Sequence, residues 1–377
     1  MFDVAIVGAG ICGCSCAYML TQAGLRVALI DATGIAAGGS GAAGAFVSPK
    51  FVKSGPVKEV SEAAFRFSLT FYQEHFSELT SVSRLLHFAN NALSNERVAY
   101  FREHTSLAQA TLEPEYLEHI NLEARRFESL VLESSAVVDA HEICKKMAAA
   151  ATFFKIDVNT LHHQGTSWSL NNQLRAKRVI LTTGAYRHVV DIPYFTPRAV
   201  FGHRINIKTS SYNPINVHQF VSISQSDSEG VIAIGATHDV HYNPLNASNQ
   251  RYDVATGRAT LLEKARRTMR LEHVDILKDF TGVRAGSVDH LPLLGLVVDS
   301  KKTLEHLPKL RRGKQYDINK YEYYPDLYMM NGVGGYGFVL APFLAKMLQD
   351  FIMRGSAVTP LVLPSRFLRR WCIQKCR

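Results

Sequence analysis

The chain has 377 residues, 47% hydrophobic and 20% charged, with a formal net charge of +9. That length allows two ordinary domains or one large interleaved pair. The absence of a low-complexity tract, a fixed-period repeat or a run of about 18 uninterrupted apolar residues excludes a repeat array and predicts no membrane span.

The chain opens on Phe2-Asp3-Val4-Ala5-Ile6-Val7, which reads as a buried strand, and passes into Gly8-Ala9-Gly10-Ile11-Cys12-Gly13. An apolar helix pattern follows, then a second strand, Arg26 to Ile30, that ends on Asp31. Strand, G-x-G-x-x-G, helix, strand and acid form a dinucleotide-binding βαβ unit. Gly8 allows the tight turn, Gly10 lets a pyrophosphate approach the backbone, and Gly13 lets the helix pack closely. The helix start faces the phosphates, and Asp31 can accept from the ribose hydroxyls.

A loop rich in small residues comes next, Gly38 to Ala45, in which Ser40, Gly41, Ala42 and Ala43 let backbone approach a flat ligand. Helices are expected near 60–79, 95–110 and 140–150, and strands near 127–138, 154–161, 168–174 and 178–182. Val158, in the second of these strands, is taken as a cofactor-side position. The strand Arg178 to Thr182 ends in Thr183-Gly184-Ala185, a small-residue turn suited to a second cofactor contact.

From about 198 to 237 short alternating strands predict an antiparallel sheet of hairpins, followed by a helix at 255–269. A last buried strand, Leu327 to Asn331, opens into Gly332-Val333-Gly334-Gly335-Tyr336-Gly337 and another apolar helix. A second glycine-rich strand-to-helix turn favours FAD over NAD, because a helix start can stabilise the negative charge of reduced flavin. The expected fold is α/β: an FAD-binding Rossmann-like domain (1–85, 131–197, 282–377) with an inserted antiparallel-sheet substrate domain (86–130, 198–281).

The six cysteines predict no metal site, since Cys12-x-Cys14-x-Cys16 has the wrong spacing on a helix and Cys372 and Cys376 have no neighbouring histidine. Reduced thiols and the missing span predict a cytoplasmic protein. His162-His163 point to opposite faces of a strand and cannot share a metal. Basic residues gather at Lys264–Arg270, at Lys309–Lys314 and at Arg366, Arg369, Arg370, Lys375 and Arg377. Each cluster alone reads as a solvated surface; the three together point to a polyanionic partner.

The N-terminal fingerprint, Thr183-Gly184-Ala185, the run Gly282 to Gly295 and the closing glycine turn resemble the D-amino-acid-oxidase/glycine-oxidase class of flavoproteins. Ala63 to Ser68, Asp289-His290-Leu291-Pro292, the basic stretch 301–320 and the ending Pro364 to Arg370 resemble, within that class, the FAD-dependent C-terminal domain of the MnmC family of tRNA wobble-uridine modification proteins. The resemblance departs at Ser40-Gly41-Ala42-Ala43-Gly44, where the family usually has Ser-Gly-Asn, and in the missing methyltransferase half. It implies a glycine-oxidase-like fold, FAD, tRNA as substrate carrier and molecular oxygen as electron acceptor. It implies that carboxymethylaminomethyl-uridine loses glyoxylate and becomes aminomethyl-uridine. It implies Arg284 as the clamp on the substrate carboxylate, for which a guanidinium fork is well shaped; a structural ion pair is the other reading. His238 and His290 are candidates for a direct role, with ordinary surface histidines as the alternative. The competing functions are an oxidase of free glycine, sarcosine or a D-amino acid, and a non-catalytic flavin- or RNA-binding protein.

Overall fold

The computed structural model describes residues 1–186, 189–240 and 252–374. In chain order the strands are β1 (Phe2–Val7), β2 (Val27–Asp31), β3 (Phe46–Val47), β4 (Thr80–Phe88), β5 (Gln109–Ala110), β6 (Ser129–Val138), β7 (Thr152–Lys155), β8 (Leu161–Gln164), β9 (Ser167–Leu170), β10 (Leu174–Leu181), β11 (Arg198–Lys208), β12 (Asn216–His218), β13 (Ser222–Ile223), β14 (Val231–Gly235), β15 (Asp275–Gly286), β16 (Leu293–Val298) and β17 (Tyr323–Asn331). The helices are α1 (Ile11–Gln22), α2 (Pro56–His75), α3 (Ala92–His104), α4 (Ala140–Ala148), α5 (Val254–Thr268), α6 (Ser300–His306), α7 (Gly337–Arg354) and α8 (Leu368–Gln374).

The chain packs as two units. The first comprises Met1–Ala37, Cys144–Ala199 and Arg284–Arg377; the second comprises Gly38–Ile143 and Val200–Val283. The first holds the sheet β16-β17-β10-β1-β2-β7, in which β17, β10, β1, β2 and β7 run parallel and β16 is antiparallel to β17. Strand β1 is the hinge of the order, with Val4 opposite Val27 on one side and Arg178 on the other. Its residues Val4 to Val7 are buried on both faces, as a parallel central strand requires. Burying one such side chain stabilises the fold by about 1.5–3 kcal/mol.

The second unit holds the sheet β15-β11-β14-β13-β12-β4-β6-β3. Most neighbours are antiparallel, as expected of hairpins, but β12 runs parallel to β4, with His218 opposite His87. One face packs on α5 through Ile205, Ile207, Val217, Ile232, Ile234 and Leu261.

The observed division assigns residues 38–85 and 131–143 to the second unit, where the sequence places them with the nucleotide-binding domain. The cause is long-range pairing: β4 hydrogen-bonds to β6 from Thr80↔Val138 to Phe88↔Ser129, so neither can leave the second sheet. The stretch 154–161 is not one strand but the end of β7 and the start of β8, turned between them by Asn171, whose Oδ1 accepts from Asn159 and Thr160. The helix expected at 95–110 starts at Ala92, where Asn91 and Ser94 form a capping box, and ends at His104.

Among the described residues, one helical stretch, Gly334–Arg354, is long and apolar enough to cross a membrane. Its Phe338, Val339, Leu340, Ala341, Leu344 and Leu348 are buried within the protein, as in a core helix.

Candidate active site

The first glycine turn leaves no room for a side chain at Gly8 or Gly13. Gly8 has φ +110, and a Cβ there would lie 2.4 Å from the Thr182 carbonyl oxygen. A Cβ on Gly13 would lie 1.8 Å from the Gly8 carbonyl oxygen. Thr182 ties β10 to this turn: its N–H donates to Val7 O at 2.9 Å and its hydroxyl to Gly8 O at 2.8 Å. Gly10 is the N-cap of α1 and no side-chain oxygen caps the first turn, so the helix start is presented as bare backbone. Asp31, at the end of β2, accepts from Ala9 N–H at 2.8 Å through Oδ2 and from Thr33 and Gly34 N–H at 2.8 and 3.0 Å through Oδ1. It therefore shapes the turn and keeps acceptor capacity on Oδ2.

The second glycine turn lies on the same sheet. Gly332 and Gly334 have φ +74 and +57, conformations that favour glycine. A Cβ on Gly337, the first residue of α7, would lie 3.0 Å from Ile11 Cγ2, so both helix starts pack closely. Tyr336 caps α7 without a side-chain bond to its first turn. Asn331, buried at the end of β17, donates to Gly184 O at 2.9 Å and accepts from Gly332 N–H at 2.7 Å. One side chain thus fastens the 183–185 turn to the 332–337 turn.

Arg284, near the end of β15, is half-buried and stands against this second turn: a Cβ on Gly335 would lie 3.6 Å from Arg284 Cδ. Burial lowers the Arg284 pKa from its ordinary value, yet a guanidinium there remains charged.

Among the expected residues, the first unit brings together Gly8, Gly10, Gly13 and Asp31, the Thr183-Gly184-Ala185 turn, the 332–337 turn and Arg284. Val158 is in the same unit, buried in its core, in the connection between β7 and β8. Ser40, Gly41, Ala42 and Ala43 form turns in the second unit, where Ala43 N–H donates to Ser40 O at 3.2 Å. That loop lies on the β15 backbone: a Cβ on Gly282 would be 2.9 Å from Ala42 Cβ. His238 is exposed, in the second unit, three residues beyond β14.

His290 is exposed too, with φ +62 in the turn after β15. The anchoring residue of its motif is its neighbour Asp289, which accepts from Arg366 Nε at 2.8 Å and Nη2 at 3.0 Å. Arg366, read in the sequence as part of a basic surface, is therefore spent on a structural ion pair. Arg369 donates to Gly313 O, and Lys375 and Arg377 lie outside the described residues. Sequence reasoning missed Thr182 and Asn331. The available signal was a polar residue ending each of two apolar strands just before a glycine turn.

No group of three or more metal-ligating side chains occurs among the described residues. Cys12, Cys14, Cys16, Cys144 and Cys372 are buried, and none is in a disulfide among the described residues. Burial pushes the Cys12 thiol up to about 12.

Residues 3–351 match the family described as DAO, FAD dependent oxidoreductase. The chain belongs to this family. It is therefore an FAD-dependent oxidoreductase with a glycine-oxidase-like fold. A relative from Leptospira interrogans, the tRNA 5-methylaminomethyl-2-thiouridine biosynthesis bifunctional protein MnmC, is 27% identical over 405 residues, 97% of this chain and 60% of the relative. This chain thus spans about three fifths of the length of that relative. Among solved structures, glycine oxidase from Bacillus cereus superposes with a TM-score of 0.73 at 18% identity, over 95% of this chain and 96% of that one. L-Proline dehydrogenase from P. horikoshii gives 0.75 at 15% identity, over 98% of both. These likenesses are of fold.

The residues present suit the family's cofactor. The cradle positions at Gly8 and Gly13 exclude any Cβ, two helix starts lack side-chain caps, and an acid, Asp31, ends β2 beside the first turn.

Proposed function

We propose that this enzyme oxidises the C–N bond of the carboxymethylaminomethyl group on tRNA wobble uridine, releasing glyoxylate and leaving aminomethyl-uridine. The support is the sequence likeness to MnmC relatives together with Arg284, a half-buried guanidinium set beside the second glycine turn. In this reading Gly8, Gly10, Gly13 and Asp31 hold the pyrophosphate and ribose of FAD. Thr183, Gly184, Ala185, Val158 and the 332–337 turn hold its remaining length. Bound FAD would supply the two-electron acceptor for a hydride from the glycyl methylene.

The chain's own residues bind and orient. Arg284 pairs with the glycyl carboxylate through two charge-assisted hydrogen bonds and fixes the methylene next to it. The substrate nitrogen loses its proton as the C=N bond forms. Water adds to that imine and the carbon–nitrogen bond breaks, giving glyoxylate and the primary amine. Molecular oxygen takes the two electrons and two protons and leaves as hydrogen peroxide.

The deciding experiment is nucleoside mass spectrometry of tRNA from cells lacking this protein. Carboxymethylaminomethyl-uridine should accumulate. An unchanged nucleoside profile, with glycine or sarcosine consumed by the purified protein, would replace this function with oxidation of a free amino acid.

A further inference from the structure

The second unit has a sheet with two unlike faces. Along β11, β12 and β4 the side chains alternate, and Ile205, Ile207, Val217, Leu86 and Phe88 face the core under α5. The other face of the same strands carries Arg204, Asn206, Asn216, His218 and His87. Sheet faces of this kind are normally wetted. Here three nitrogens are sealed without partners among the described residues: Arg204 Nε, His218 Nε2 and His87 Nδ1 are each buried with no hydrogen bond.

Among the described residues Arg204 makes one side-chain hydrogen bond, Nη1 to Asn206 Oδ1 at 3.0 Å, and its guanidinium carbon lies 3.7 Å from the Phe280 ring centroid. Among the described residues it forms no ion pair. Burial lowers its pKa to about 10, with Asp139 acting on it only at a distance, so it stays charged. Its stem runs over Gly235, where a Cβ would lie 3.0 Å from Arg204 Cγ, and past Gly44, where a Cβ would lie 3.5 Å from Arg204 Cδ and 3.0 Å from the Phe46 ring. The surface continues through flat rings. Phe46 meets His218 edge-on at 5.1 Å, His218 lies 6.4 Å from His87, and His87 stacks on Phe51 at 3.8 Å.

A half-buried guanidinium whose sealed Nε has no partner and two unpartnered imidazole nitrogens are costly features unless something completes them. A bare anion would complete Arg204 alone. It would leave the aromatic row and the two imidazoles, which burial keeps uncharged, without a purpose. A flat ring that carries both carbonyl acceptors and an N–H donor matches all of them.

We propose that this face of the second unit is a base-binding subsite for a pyrimidine-dione ring, with Arg204 donating to a ring carbonyl and His218 pairing with a polar edge of the ring. The proposal rests on the tRNA reading above and names the part of the substrate that reading leaves unassigned. Phe46 and Phe280 supply apolar surface beside the ring, and Arg204 Nε, which has no hydrogen-bond partner within the chain, is the donor.

The test compares two anticodon stem-loop RNAs, one with uridine at the wobble position and one abasic there, binding to the full-length holoenzyme. The wild type should prefer the uridine RNA by tenfold or more in Kd. Arg204→Met keeps the stem and removes the donors; it should bring that ratio close to one while leaving the salt dependence of binding, which counts phosphate contacts, unaltered. His218→Phe keeps the ring and removes the nitrogens, and should lower the ratio severalfold even if Arg204→Met does not fold. A wild type that binds and oxidises the modified stem-loop but shows no preference for uridine over the abasic RNA overturns the subsite alone, as does a preference retained in both variants. A wild type that neither binds nor oxidises the stem-loop overturns the tRNA reading and the subsite with it.

Discussion

Asn331 holds Gly184: its amide nitrogen donates to the Gly184 carbonyl at 2.9 Å, while its own carbonyl accepts from Gly332 N–H at 2.7 Å. The two contacts lock together two turns that lie 147 residues apart in the chain. Asn331→Leu would leave a carbonyl and an N–H without their partner, at a cost of about 1–3 kcal/mol for a buried polar group. The purified variant should fold but retain less FAD. The ratio of flavin absorbance to protein absorbance after gel filtration measures this, and a full complement of flavin would show that the two turns do not need their clasp.

The glycine turns differ sharply in what they tolerate. Gly13→Ala would put a Cβ 1.8 Å from a backbone oxygen, and backbone cannot move aside as a side chain can. Gly24, at φ +80, has nothing within 4 Å of its missing Cβ, so Gly24→Ala meets only the left-handed backbone penalty, about 1–2 kcal/mol. The first variant should be insoluble or colourless. The second should be yellow with a slightly lowered Tm, as differential scanning calorimetry would read.

The contrast explains how much the sequence could disclose. The βαβ unit was legible because its strand, glycines, helix and acid are contiguous and each has a local physical reason. The same holds for the Gly332–Gly337 turn. What could not be read depends on pairing across long separations. Residues 38–85 look like a continuation of the nucleotide domain until β4 is seen paired with β6. Arg366 looks like surface charge until Asp289 is found beside it. His290 attracts attention as a motif residue; in the structure it is exposed, at φ +62 in the turn that Asp289 anchors.

Arg284 should separate binding from flavin retention. Arg284→Ala removes both donors of the carboxylate pair, and Arg284→Lys keeps charge but loses the planar fork. Both variants should hold FAD normally. Loss of one charged hydrogen-bond pair of about 1.5–3 kcal/mol corresponds to roughly a tenfold to hundredfold rise in KM. Steady-state kinetics with the modified stem-loop measures it. Loss of flavin in place of a raised KM would make Arg284 a structural residue.

The paired histidines of β4 and β12 predict an acid-side loss of stability. Burial holds His87 down to about 3, with His218 adding repulsion, and holds His218 down to about 4. In the unfolded chain both titrate near 6.5. Their folded pKa values are depressed, so the unfolded state binds more protons between the two values. The stability they contribute is complete above about pH 6.5 and is lost as pH falls toward 4 and then 3, at up to about 1.4 kcal/mol per pH unit for each group. Asp279, held down to about 2 chiefly by its hydrogen bond from Arg258, responds only below the ordinary carboxylate range and leaves this window clear. Urea unfolding at pH 7 and pH 5 should show the loss in the wild type. His87→Phe with His218→Phe should flatten the slope between those values, because neither ring then takes up a proton on unfolding. A slope unchanged in the double variant would mean that the two imidazoles are protonated in the folded protein and that the face they line is wetter than its geometry shows.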